Sequence, residues 1–210
     1  VLINKGQIKG VPKGAQVAYF SGLEKHDGGS QNIWAAWSSD NGKTFSHVLN
    51  NASPVIDHSW GWTSQNRVDE RDPAVVYWHG KMLMYVAEGS EIGVYQSKDG
   101  INWSKADPNG ASKVGMGTYL RGVDLRDTTP VECPVLRTMK TPNGQTKQVL
   151  FFGAKAPHAG QTTGTYYIVG HLDSNGLFAP ETDAKRLDQG SDYYGANFSG
   201  SSDLSESAKT

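Results

Sequence analysis

Ser38-Ser39-Asp40-Asn41-Gly42-Lys43-Thr44-Phe45 follows a run rich in apolar residues, and its pattern returns as Ser97-Lys98-Asp99-Gly100-Ile101-Asn102-Trp103. Leu172-Asp173-Ser174-Asn175-Gly176-Leu177-Phe178 is a looser third copy. Each copy sets an Asp and a Gly in a tight turn and closes it with an aromatic; Asn and Gly tolerate the positive φ such turns demand. Copies roughly 60 to 75 residues apart, with about four short strands between them, have the spacing of β-propeller blades. Asp-Gly hairpins also recur in any antiparallel β protein, so the copies by themselves leave both readings open.

Outward from these turns, strands are expected over 15–20, ended by Ser21-Gly22, then over 32–38, 45–48, 74–78, 81–87 and 92–97. Further strands are expected over 133–138, 148–153 and 165–170, with a return at 177–178. No segment sustains a helical period over three turns, so the class is all-β. Residues 1–14 read as loop, or as the trailing edge of something that started earlier. Residues 107–129 form a long, Gly-rich connection of the kind that is often functional in compact domains. From residue 199 the chain is rich in Ser, Asp and Glu, and its last element looks cut short.

Composition narrows the function. The 210 residues carry a net charge of −1, which gives no electrostatic footprint for nucleic acid or an anionic membrane. No apolar run is long enough to span a bilayer, and no leader pattern opens the sequence. The single Cys133 excludes an intrachain disulfide framework and a multi-cysteine zinc site. The 6 histidines are not spaced as metal ligands, so neither a catalytic metal nor a cofactor is expected.

Two acidic segments share one grammar. Asp69-Glu70-Arg71-Asp72-Pro73 runs into Ala74-Val75-Val76-Tyr77-Trp78, and Val131-Glu132-Cys133-Pro134 runs into Val135-Leu136. Proline cannot donate to a ladder, so each belongs at a strand start, an edge or a bulge. In a propeller, equivalent strand starts of neighbouring blades converge on the central channel, which sets Asp72 and Glu132 about one pocket. Paired carboxylates, one ionised and one protonated, are the equipment of glycoside hydrolysis. Arg71 beside Asp72 is expected to favour its ionised form, and an apolar or anionic setting to raise Glu132.

These motifs resemble those of glycoside hydrolase family thirty-two, the β-fructofuranosidases. Arg71-Asp72-Pro73 is similar to the family's Arg-Asp-Pro triplet and Glu132-Cys133-Pro134 to its Glu-Cys-Pro. Residues 35–45, the Ala52-Ser53-Pro54-Val55-Ile56 segment, residues 95–103 and Gly190-Ser191-Asp192-Tyr193-Tyr194-Gly195-Ala196 resemble further family segments in the same order. The resemblance implies a five-bladed β-propeller of four-stranded antiparallel blades, present here as an incomplete portion. Residues 15–60 would complete blade two after a leading loop at 1–14, 61–110 form blade three, 111–185 blade four, and 186–210 the start of blade five, with no second domain. Blade one, a C-terminal β-sandwich and the nucleophilic aspartate would lie outside this chain. Asp107-Pro108-Asn109-Gly110 imitates the nucleophile motif but falls in the wrong place, and reads as a type I turn.

By position, the resemblance implies retaining chemistry on β-fructofuranosyl linkages of sucrose or fructans such as inulin and levan. Glu132 would be the acid/base, Asp72 the transition-state stabiliser and Arg71 an orienting group, with Asp192 and Tyr194 on the site wall. Secretion is implied by polymeric substrates of this kind. A non-catalytic carbohydrate-binding propeller and a sialidase-like hydrolase are the rival readings. Trp60 and Trp62, with His58, are candidates to stack on sugar rings or to plug their loop onto the propeller. Trp34, Trp37, Trp78 and Trp103 are expected in the core, Cys133 as a buried residue behind Glu132, and Glu88 and Glu91 in solvent. Lys155, His158 and Gln161 are weaker candidates to reach substrate from a loop.

Overall fold

The computed structural model describes residues 1–24, 30–58, 70–89, 91–107, 113–115, 131–154, 163–198 and 203–204. Three antiparallel sheets follow one another along the chain as consecutive propeller blades. The first runs β1 (Leu2–Ile3), β2 (Gln16–Glu24), β3 (Ser30–Ser38) and β4 (His47–Val48). The second runs β5 (Glu70–Trp78), β6 (Lys81–Glu88), β7 (Glu91–Ser97) and β8 (Ser104–Lys105), with β9 (Lys113–Gly115) also pairing with β7. The third runs β10 (Val131–Lys140), β11 (Thr146–Ala154), β12 (Gly164–Leu172) and β13 (Phe178–Pro180), with β14 (Lys185–Arg186) on β12. Helix among the described residues is a single 3-10 turn, Asn50–Ala52.

Strand alternation places the cores. On β6, Met82, Met84 and Val86 face the first sheet, where they meet Val17, Tyr19, Ile33 and Ala35. Leu83 and Tyr85 point the other way, toward Leu136, Leu150, Phe152 and Ile168 of the third sheet. A two-residue period buried on both sides makes β6 almost continuously apolar, as a strand between two packed neighbours must be. Trp37 and Trp103 pack half-buried against the first of these cores and Trp78 against the second.

The repeated turns lock each blade to the one before it. Asp40 accepts from the Thr44 amide, Asp99 from the amides of Ile101 and Asn102, and Asp173 from those of Asn175 and Leu177. Tyr19 of the first blade donates to the Gly100 carbonyl in the turn of the second, at 2.9 Å. Tyr85 of the second donates to the Gly176 carbonyl in the turn of the third, at 2.6 Å. Both glycines have positive φ, 72° and 92°, and a Cβ on either would press on the preceding blade, within 2.7 Å of Tyr19 or 2.8 Å of Leu83. Glycine is therefore required there by conformation and by space.

Two elements differ from the expected outline. β2 does not end at Ser21-Gly22 but pairs onward, Ser21 with Ile33 and Gly22 with Asn32, to Glu24. Gly22 is there because its missing side chain makes room for the Trp34 indole, not because the strand turns. The opening segment supplies β1, fixed by Asn4, whose carboxamide donates to the Val11 carbonyl and accepts from the amides of Gly6 and Ile8.

Candidate active site

β5 and β10 carry the same defect at the same place. The β5–β6 register slips between Arg71 and Ala74, and the β10–β11 register between Glu132 and Val135. Each slip is a β-bulge spanning an X-Pro pair, Asp72-Pro73 or Cys133-Pro134, where a proline without an amide proton costs no ladder bond. Asp72 and Cys133 both take positive φ, 64° and 51°. For side chains other than glycine this is strained backbone, held by its surroundings, and such positions cluster at functional sites.

Side chains from the preceding blade satisfy the bulged amides. Ser21 Oγ on β2 accepts the Asp72 N–H at 3.0 Å, and Asp72 Oδ2 accepts the Cys133 N–H at 3.0 Å. Asp72 and Cys133 line a cavity of about 520 Å3, with Phe20, Ser21, Arg137 and Phe198 among its other walls. Asp72 thus reaches the backbone of the residue next to Glu132.

Arg71 reaches across to the next blade. Its Nη2 donates to Glu132 Oε1. Its Nη1 donates to Gln31 Oε1 at 3.4 Å. Glu132 is 13% exposed and also accepts from the Tyr194 hydroxyl on its other oxygen. Burial, and next the Glu132 carboxylate, raise the Tyr194 phenol far above its ordinary range, so it remains a donor. Among the described residues Glu132 thus meets two donors, one of them cationic. The Tyr194 ring reaches Glu132 across Gly153, the cross-strand partner of Glu132, where a Cβ would lie 2.9 Å from the phenol Cζ.

Cys133 is half-buried rather than packed behind Glu132. Its positive φ swings the thiol toward the cavity, with Sγ 3.6 Å from Asp72 Oδ2. Burial, then the Asp72 carboxylate, push the thiol up to about 11. Asp192 is exposed, and its carboxylate accepts from the Ser191 hydroxyl at 2.6 Å, away from the two acids' described contacts. Trp60, Trp62, Lys155, His158, Gln161 and residues 108–110 lie outside the described residues.

Near Arg71 lies a buried polar cluster centred on Glu88, which was expected in solvent. Glu88 is 4% exposed, with its carboxylate over Gly93, where a Cβ would fall 2.4 Å from Cδ. Tyr95 donates its hydroxyl to Glu88, and His58 Nε2 lies 3.3 Å from the same oxygen. His58 is 0% exposed, which removes it as a sugar-stacking surface. Its Nδ1 is 2.7 Å from the Gln31 carbonyl, so Nδ1 carries a proton. Burial alone would lower the imidazole, but Glu88, Glu70 and the Gln31 carbonyl together raise it. Gln31, Ser21 and Glu88 were not legible as site residues, although interior-strand glycines 93 and 153 mark close approaches.

The comparisons with known proteins agree with the blade architecture. Residues 6–207 match the glycosyl hydrolases family 32 N-terminal domain. A levanbiose-producing levanase of Geobacillus stearothermophilus is 31% identical over 198 residues, covering 93% of this chain and 44% of that protein. Among solved structures, a fructofuranosidase of Schwanniomyces occidentalis complexed with fructose superposes with a TM-score of 0.72 at 23% identity, over 93% of this chain and 35% of that one. An exo-inulinase of Aspergillus awamori gives 0.71 at 21%, over 93% and 40%. The chain spans less than half the length of each of these proteins.

Proposed function

The chain belongs to glycosyl hydrolase family 32, and from that premise we propose that it forms part of an enzyme that cleaves β-fructofuranosyl linkages of a fructan or sucrose with retention. The observation carrying this reading is the twin bulge, at which Asp72 holds the Cys133 amide and the neighbouring Glu132 meets Arg71 and Tyr194. The levanase likeness and the fold shared with a fructose-bound structure support a fructosyl substrate.

In this mechanism a third carboxylate, from outside residues 1–210, attacks the anomeric carbon while Glu132 gives its proton to the departing oxygen. Asp72, anchored through Oδ2 on the Cys133 amide, accepts hydrogen bonds from fructose hydroxyls and opposes the positive charge of the oxocarbenium-like transition state. Glu132, now ionised and held by Arg71 and Tyr194, then takes a proton from water or from an acceptor sugar as that oxygen attacks the anomeric carbon and its bond to the third carboxylate breaks. Polymeric fructans place such an enzyme outside the cell.

The test is sugar release from levan, inulin and sucrose by the full-length protein. Glu132→Gln is expected to lower turnover by about 100- to 10,000-fold, the usual worth of a general acid/base. Undiminished turnover in that variant would refute the assignment.

A further inference from the structure

Glu132 has to hold a proton for the first half of the proposed reaction and lose it for the second. In the arrangement described above, Arg71 works against the first half, because a guanidinium against a carboxylate favours the charged form. How completely Arg71 is committed to Glu132 therefore sets the balance between the two halves. The guanidinium is a fork, and its two arms point to different acceptors: Nη2 to Glu132 and Nη1 to Gln31.

Gln31 is built to hold its arm in place. Its side-chain oxygen also accepts the Glu70 amide at 3.1 Å, so it ties down the backbone just before Arg71. Its main-chain carbonyl takes the His58 Nδ1 proton at 2.7 Å, and the next residue, Asn32, accepts the His58 amide at 2.8 Å through Oδ1. His58 is itself locked beside Glu88 and, at 3.7 Å, Glu70. A chain of buried and half-buried contacts thus sets a neutral amide oxygen against a charged fork whose other arm rests on the acid/base candidate.

We propose that Gln31 is a positioning residue for the reaction: its side-chain oxygen holds one arm of Arg71 and so limits how fully that cation is given to Glu132. This inference rests on the acid/base reading of Glu132. Among the described residues, the charged and titratable groups about Glu132 are Arg71, Asp72, Cys133 and Tyr194. Behind Gln31 they are His58, Glu70, Glu88 and Tyr95. Gln31 is neutral, so its effect comes through Arg71 alone.

The signs are separable. Gln31→Met keeps length and volume but removes the acceptor, so Arg71 settles more fully on Glu132 and the carboxyl becomes more acidic. Gln31→Glu competes harder for Arg71 and adds a negative charge nearby, so Glu132 keeps its proton to higher pH. Activity that needs protonated Glu132 fails on the alkaline side at the pKa of that group.

The experiment is the pH profile of kcat/KM for the full-length protein on levan or sucrose, with thermal melts to verify folding. The alkaline limb is expected to move down by about half a unit or more in Gln31→Met and up by a similar amount in Gln31→Glu. In an Arg71→Lys background, which lacks the fork, the Gln31→Met shift should vanish and the Gln31→Glu shift should fall to the direct effect of the added charge. A limb that stays fixed in folded variants, or moves the same way in both, overturns the inference. So does a Gln31→Met shift that persists, or a Gln31→Glu shift that is undiminished, without the fork. If Glu132→Gln instead retains full turnover, it is the acid/base reading that has failed. Should Gln31→Met not fold, the shift in Gln31→Glu and its reduction with Arg71→Lys still decide the matter.

Discussion

Adding one methyl group at Gly93 should unbalance the protein from beneath its site. The Cβ of Gly93→Ala would fall 2.4 Å from both Cδ and Oε1 of Glu88 and 2.5 Å from Oε2. The Glu88 side chain is 0% exposed and bound by Tyr95 and His58, so it has no solvent-facing rotamer to retreat into. Overpacking a core costs about 1–3 kcal/mol, and displacing a charge-assisted hydrogen bond about 1.5–3 more, so the sum expected is roughly 3–5 kcal/mol. For a domain of this size that is a melting point lower by about 10 °C. The assay is urea and thermal unfolding followed by tryptophan fluorescence, with Gly93→Ala placed on both the natural and the Glu88→Ala background. If the clash is the cause, the alanine costs less than about 1 kcal/mol once Glu88 is shortened, and the cycle shows strong coupling. A cost of the same size on both backgrounds, or none on the natural one, would refute the reasoning.

Two further outcomes follow from the turns and the thiol. Hydrogen bonds from the Thr44 amide and from Ser38 and Thr44 hold Asp40 near 2; at Asp99 burial opposes, but the Asn102 amide and side chain, Ile101 and Ser97 outweigh it and hold it near 2 as well. A depressed folded pKa contributes stability above the ordinary carboxylate range, and this is lost as pH falls through about 2. The deficit of Asp99→Asn should therefore be full at pH 6 and shrink as pH falls from about 4 toward 2, read by denaturant melts; a deficit independent of pH would count against it. Cys133 should alkylate slowly with iodoacetamide at neutral pH and gain speed up to about pH 11, and a plateau near pH 8 would contradict the cavity geometry.

The blades were legible because their signals are local. Alternation on β6 and β11, and the Asp-Gly turns at residues 40, 99 and 173, need no knowledge of distant contacts. The twin X-Pro pairs were legible as bulge or strand-start chemistry, which located Asp72 and Glu132. What they touch was not. Arg71 reaches Glu132 across 61 residues of sequence and into the next blade, and no one-dimensional pattern states that meeting. Glu88 reads as a charged residue beside a turn; it is buried because His58, 30 residues earlier, returns to meet it. Gly22 looks like a strand breaker until Trp34 is seen lying where its side chain would be.

The hand-over of amides from blade to blade gives Asp72 two obligations. One oxygen is committed to the Cys133 amide, on a strand of the next blade, whatever happens to a sugar. If Asp72 has the role proposed above, the position carries an architectural demand as well as a catalytic one. A descendant that lost its activity would still be expected to keep a hydrogen-bond acceptor there, with asparagine the cheapest drift and alanine disfavoured. An intact Arg-Asp-Pro signature thus certifies that two blades are joined correctly, and is weaker testimony about turnover than the Glu132 it helps to place.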